Sequence, residues 1–242
     1  MRVARSPAFA AFAGFFGVML ACTTFVAQQQ MPRLPELLTV ELPRVEIAVK
    51  VDREASYFDD LRAQVRWVPT KVGRATMMAP DFESRLLLAK SAAERAGLGQ
   101  LGLSYKDVYA IINAETSWAP RTGASRDGTP NLGIAQFEPA TAKALGIRDP
   151  DDPVEAVHAA AVHIKEAALW SEDRLRTLKL GKAERAEKLR EGISIYYNLS
   201  TRGRNQWNGL NTAQLPVETQ RHIANARYGV QEVSQLESQL RS

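Results

Sequence analysis

The chain changes rhythm near residue 81. Ahead of it lie an uncharged run from Ser6 to Gln28, rich in Ala, Phe, Val, Met and Leu, and then an irregular stretch broken by Pro32, Pro35 and Pro43. Within that stretch LTVELPRVEIAVKVD alternates apolar and polar residues like a short strand, and Tyr57 to Val68 fits one short helix. Beyond Asp81 the apolar residues recur at spacings of three and four. Leu86, Leu87, Ala89, Ala93 and Ala96 form one stripe of a helix over Phe82 to Ala96. Ser104 and Asp107 fit a capping box, which starts a helix at Tyr105 that runs toward Glu115 and buries Val108, Ile111 and Ile112. Pro139 opens a short helix that stops at Gly146, and Asp152, Pro153 and Glu155 open a longer one reaching Leu178. Two more are expected, over Ala183 to Asn198 and from Pro216 onward. The outcome is a mainly α-helical domain of about 150 residues, an ordinary size for one domain.

The amino terminus reads differently. Arg2 and Arg5 precede the uncharged run, the pattern of a secretory signal ending near residue 27. Glycines, Thr23, Thr24 and the polar Gln28-Gln29-Gln30 argue against a spanning helix there. The only cysteine, Cys22, closes VMLAC, which resembles a bacterial lipobox and implies lipid on Cys22. Cleavage after Ala27 instead would leave no cysteine at all. Either way the folded domain has no disulfide, and packing alone must hold it. The expected division is a signal over residues 1–27, a spacer or accessory arm over 28–80, the working domain over 81–229 and a helical tail over 230–242. The chain is expected in the periplasm or cell envelope, touching a membrane only through the signal or a lipid. Of the formal +4, Arg2 and Arg5 leave with the signal, and the remaining +2 is too little to imply nucleic acid.

Several candidate motifs fail on context. GLGQLG, residues 97–102, matches G-x-G-x-x-G, but it follows a helix where a dinucleotide site needs a strand, so Gly97 reads as a helix stop. His158 and His163 are five residues apart on one helix, about 140° around its axis, and cannot grip one metal as an i, i+4 pair could. No serine stands in a nucleophile elbow. The mixed charges from Glu172 to Glu191 read as solvated helix surface, and no metal or organic cofactor is implied.

Three pieces remain: AETSW around Glu115, NLGIAQFEPATAKALGI over Asn131 to Ile147, and IYYN over Ile195 to Asn198. Together, and in this order, they resemble the lytic transglycosylases of the soluble, lysozyme-like type. The family's catalytic Glu and its small hydroxyl follower match Glu115-Thr116, with Thr where Ser is usual. Its Gly-Leu-Met-Gln matches Gly133-Ile134-Ala135-Gln136, Pro-Ala-Thr-Ala-x-x-Leu-Gly runs from Pro139 to Gly146, and Ala-Tyr-Asn matches Tyr196-Tyr197-Asn198. Two departures stand out: Leu199-Ser200-Thr201-Arg202 replaces the usual glycine turn after the Tyr-Asn pair, and the loop between Glu115 and Gly133 is long.

The resemblance implies a lysozyme-like transglycosylase domain behind an export signal and a spacer. It also implies that Glu115 protonates the oxygen between N-acetylmuramic acid and N-acetylglucosamine in peptidoglycan. Glu115 then acts as base on the muramyl C6 hydroxyl, which closes a 1,6-anhydro ring. An acid with a solution pKa near 4.3 is mostly ionised at neutral pH, so the Ile111, Ile112 and Trp118 surroundings are expected to keep the proton on by disfavouring the charged form. Gln136 and the Gly133 backbone are implied to hold sugar groups, with Thr116 beside them, while Tyr197 and Asn198 hydrogen-bond near the reacting centre and orient the carboxyl. A hydrolytic muramidase of goose type would need a second carboxylate, for which Asp127 is the candidate, although Asp127 also reads simply as a turn residue. A non-catalytic peptidoglycan-binding scaffold would keep the groove and leave the acid idle. Small exported members of the family serve envelope secretion or conjugation machinery, an implied partner class here.

Overall fold

The computed structural model describes residues 55–125 and 127–241. The expected signal with Cys22 and the alternating stretch over residues 38–52 lie outside the described residues. The described chain is mainly α. Helix α1 covers residues 55–64. A hairpin of β1 (Trp67–Val72) and β2 (Ala75–Pro80) follows, paired in the register Val72 to Ala75 around a two-residue turn. Helix α2 (Phe82–Ala96) starts where Asp81 accepts the amide of Ser84 and stops at Gly97, whose φ of 69° makes it the left-handed helix stop expected at the head of GLGQLG.

Helix α3 (Tyr105–Thr116) has the expected capping box between Ser104 and Asp107. The long loop after it pairs β3 (Gly123–Ala124) with β4 (Pro130–Asn131). Then come α4 (Pro139–Ala144), α5 (Pro153–Leu175), α6 (Lys182–Asn198), α7 (Thr201–Arg204) and α8 (Val217–Arg241). The expected helix starts agree closely with the observed ones, because each carries a local signal: Asp81, Ser104, Pro139 or Asp152.

Alanines set the spacing of the interior. Ala156, Ala160, Ala161, Ala167 and Ala168 of α5 are buried, so neighbouring helices approach its backbone closely. In α2 the buried stripe includes Leu88 and Ala92, with Leu87 only half-buried. Helix α3 packs between α2 and α8. At its contact with α8, a Cβ added to Gly229 would stand 2.9 Å from the Ala110 Cα, so this crossing needs a residue without a side chain. The irregular stretch after α6 is pinned by Trp207, which stacks on Trp170 at 5.7 Å and donates its indole N–H to the Thr212 hydroxyl at 3.0 Å.

Two expected boundaries move. Residues 55–80 are no free spacer: α1 buries Leu61 in the common core, and Arg62 donates to Asp152 at the start of α5 at 2.8 Å. Phe58 packs against His158 of α5 at 4.9 Å. These partners lie about ninety positions downstream, beyond the reach of local spacing. Nor is residue 230 a boundary. Helix α8 runs through it, with Val233 buried and Glu237 accepting the Tyr105 hydroxyl of α3.

Candidate active site

Helix α3 ends in an abrupt turn. Ser117 and Trp118 both take positive φ, at 54° and 64°, a left-handed conformation that costs a residue with a side chain free energy and must be held by its surroundings. The hold is Trp118 itself: it is 0% exposed and its ring packs against Tyr109 at 5.2 Å. Trp118 is thus an anchor in the core.

Three side chains join the turn to the second motif. The Thr116 hydroxyl, 0% exposed, donates to the Ile134 carbonyl at 2.8 Å. Arg121 donates to the carbonyls of Glu115 and Thr116 at 2.8 and 2.9 Å, capping the negative end of the α3 dipole. Gln136 in turn donates to the carbonyls of Arg121 and Gly133 at 2.6 and 2.8 Å. The loop is a closed brace around the helix end. Gly133 is fixed in it by φ of 67° and by Pro150, whose carbonyl oxygen would lie 1.9 Å from an added Cβ.

The placement therefore differs from the roles expected for Thr116, Gly133 and Gln136. Thr116 and Gly133 are buried, and both amide hydrogens of Gln136 are committed to backbone. All three shape the wall beside Glu115. Sequence spacing brought the right segments together without distinguishing a side chain that faces a ligand from one that holds the chain.

The third motif closes the site from α6. The Tyr197 ring is half-buried while its hydroxyl is buried and has no hydrogen-bond partner among the described residues. Burial first, then the negative charges of Glu115 and Glu166, push that phenol well above its ordinary range, so it stays protonated. Tyr197 is thus close enough to feel Glu115 without bonding it. Asn198 is exposed and accepts the Thr219 hydroxyl at 2.7 Å. Tyr196 joins an aromatic cluster with His163 and Trp170 and lies under the Arg204 guanidinium at 3.9 Å. The departure after Asn198 resolves into α7, capped by Ser200.

The carboxyl of Glu115 meets His222. Nε2 of His222 lies 2.8 Å from Oε1, with the Glu115 side chain 17% exposed and His222 buried. Oε2 takes no hydrogen bond from a described residue. Helix α8 presents Thr219 and His222 on one face, three residues apart, so the bond from Thr219 to Asn198 and the bond from His222 to Glu115 tie three helices at one point. His222 and Arg121 lie outside the three motifs, His222 at 107 positions from Glu115 and Arg121 in the loop after AETSW, so motif order does not point to them. The only trace in the sequence is a buried-face His on a helix whose neighbours, Ile223 among them, face the core.

Asp127 stands apart. It is exposed, it accepts the Thr129 amide at 3.0 Å in a tight turn, and that bond holds its carboxyl below the ordinary range. One helical turn behind the site, a mostly apolar cavity of about 240 Å³ opens between α3, α6 and α8, lined by Ile111, Ser194 and Ile223. It borders the supporting turns of the site and does not include Glu115.

Residues 92–177 match the family model described as Transglycosylase SLT domain. The match contains Glu115 and the brace around it, and stops short of α6 and α8, which supply Tyr197, Asn198, Thr219 and His222. No curated protein and no solved structure matches the chain.

Proposed function

Because this chain carries a transglycosylase SLT domain, the mark of lytic enzymes that act on peptidoglycan, we propose that it cleaves the β-1,4 bond between N-acetylmuramic acid and N-acetylglucosamine with formation of 1,6-anhydromuramic acid. In the first step the Glu115 proton goes to the glycosidic oxygen as the bond to the muramyl C1 breaks. The muramyl C6 hydroxyl then bonds to C1, and its proton returns to Glu115. No water is consumed, and the acid is restored. One carboxyl suffices for this cycle, because the attacking oxygen belongs to the substrate.

What carries the reading is a carboxyl, partly exposed at the end of α3, that is braced on its backbone by Arg121 and on one oxygen by His222, while the other oxygen has no hydrogen-bond partner among the described residues. A rigid acid with one free oxygen suits a proton that must leave and come back. Hydrolysis would instead require a second carboxylate to activate water, and the exposed turn position of Asp127 gives it no support for that task. The arginine-led apolar amino terminus supports export to the periplasm or cell envelope, where the substrate is found. The lipobox-like VMLAC supports a lipid anchor on Cys22, and service to a secretion or conjugation machine remains part of the proposal by analogy alone.

The test is digestion of purified peptidoglycan followed by mass spectrometry of the released muropeptides. Anhydromuramyl products are expected from the protein and none from Glu115→Gln. Products heavier by one water would replace the proposal with hydrolysis, and wall binding without release would replace it with a scaffold.

A further inference from the structure

His222 is the one described side chain that bonds the Glu115 carboxyl, and no motif of the chain accounts for it. Its other ring nitrogen, Nδ1, is buried with no hydrogen-bond partner among the described residues. That asymmetry assigns the proton. An imidazolium would leave an unpaired N–H at Nδ1 in the interior. A neutral ring with its hydrogen on Nδ1 would also bury an unpaired donor. A neutral ring with its hydrogen on Nε2 uses that hydrogen in a bond to Oε1 and leaves only a bare lone pair at Nδ1.

Resting on the transglycosylase reading, we propose that His222 is a positioning residue that stays neutral and donates Nε2–H to Glu115 Oε1, so that Oε2 alone carries the catalytic proton out and back. The bond to Oε1 is the same whether or not Oε2 is protonated. The carboxyl therefore keeps one orientation through the acid step and the base step, and it needs no rotation between them. The groups that face this pair are consistent with the assignment. From α6, Tyr197 stays a neutral phenol. After α3, the Arg121 guanidinium is spent on the backbone carbonyls of Glu115 and Thr116. On α8 itself, Thr219 is committed to Asn198. No second carboxylate is bonded to the ring among the described residues.

Two measurements on the full-length protein decide the matter. The first compares His222→Leu and His222→Gln with the parent protein in release of anhydromuramyl products. The Leu variant removes the donor, and kcat is expected to fall about 100-fold with KM changed less than threefold, as for a displaced reacting group. The Gln variant keeps an N–H at the end of a side chain and is expected to recover kcat to within about tenfold of the parent. Equal activity of His222→Leu and the parent would overturn the proposal. So would a folded His222→Gln as inactive as His222→Leu, because the ring's own charge or proton would then be required. The second measurement needs no activity: nitrogen-15 shifts of the His222 ring at neutral pH, assigned by comparison with His222→Gln. A neutral ring protonated at Nε2, with a signal that moves in Glu115→Gln, is expected, and an imidazolium or an Nδ1–H ring would overturn the assignment. A parent protein that releases no anhydromuramyl product but shows the Nε2–H ring would sink the transglycosylase reading and leave the hydrogen bond standing.

Discussion

Glu115 stands in a set of side chains that mostly bond one another or the backbone. Thr116 illustrates this. Its hydroxyl links the last turn of α3 to the carbonyl of Ile134, and both ends are buried. Thr116→Val keeps the shape and leaves that carbonyl unsatisfied, an expected loss of about 1–3 kcal/mol in urea denaturation, whereas Thr116→Ser retains the bond and most of the stability. Glu115 stands out in the sequence through the motif around it. The brace does not: Arg121 acts through backbone carbonyls, and carbonyls look alike at every position of a sequence.

Helices carry the information differently. Their starts were readable because Asp81, the Ser104 box, Pro139 and Asp152 are each local signals, and the stripes of α2 and α3 are periodic. Crossings between helices are not local. Gly229 lies two turns beyond His222 on the same side of α8, and it permits α8 to approach Ala110 of α3. Gly229→Val is expected to force the two helices apart. Overpacking of this kind costs about 1–3 kcal/mol, partly offset by the better helix propensity of Val, and the urea midpoint measures the balance. Product release should fall further than stability explains, because the shift moves His222 away from Glu115.

The folded body is larger than the motifs suggest. With α1 and the hairpin included, it begins at least as early as residue 55, and a chain starting at residue 81 would lose the burial of Leu61 and the bond from Arg62 to Asp152. Its stability is expected to drop by at least about 1.5–3 kcal/mol, the worth of one buried leucine, as read from denaturant midpoints of the two chains. Helical class and site segments were visible in spacing and motif order, whereas the docking of α1 and the reach of α8 depend on contacts across about ninety and more positions. The second of these has a consequence in time. Glu115 and His222 are separated by 107 positions, and α8 is the last helix of the chain. A polypeptide that emerges amino terminus first from a ribosome holds Glu115 without this partner until α8 has come out and docked. The bond between acid and imidazole is therefore among the late contacts of folding, and the pair is assembled only once α8 is in place.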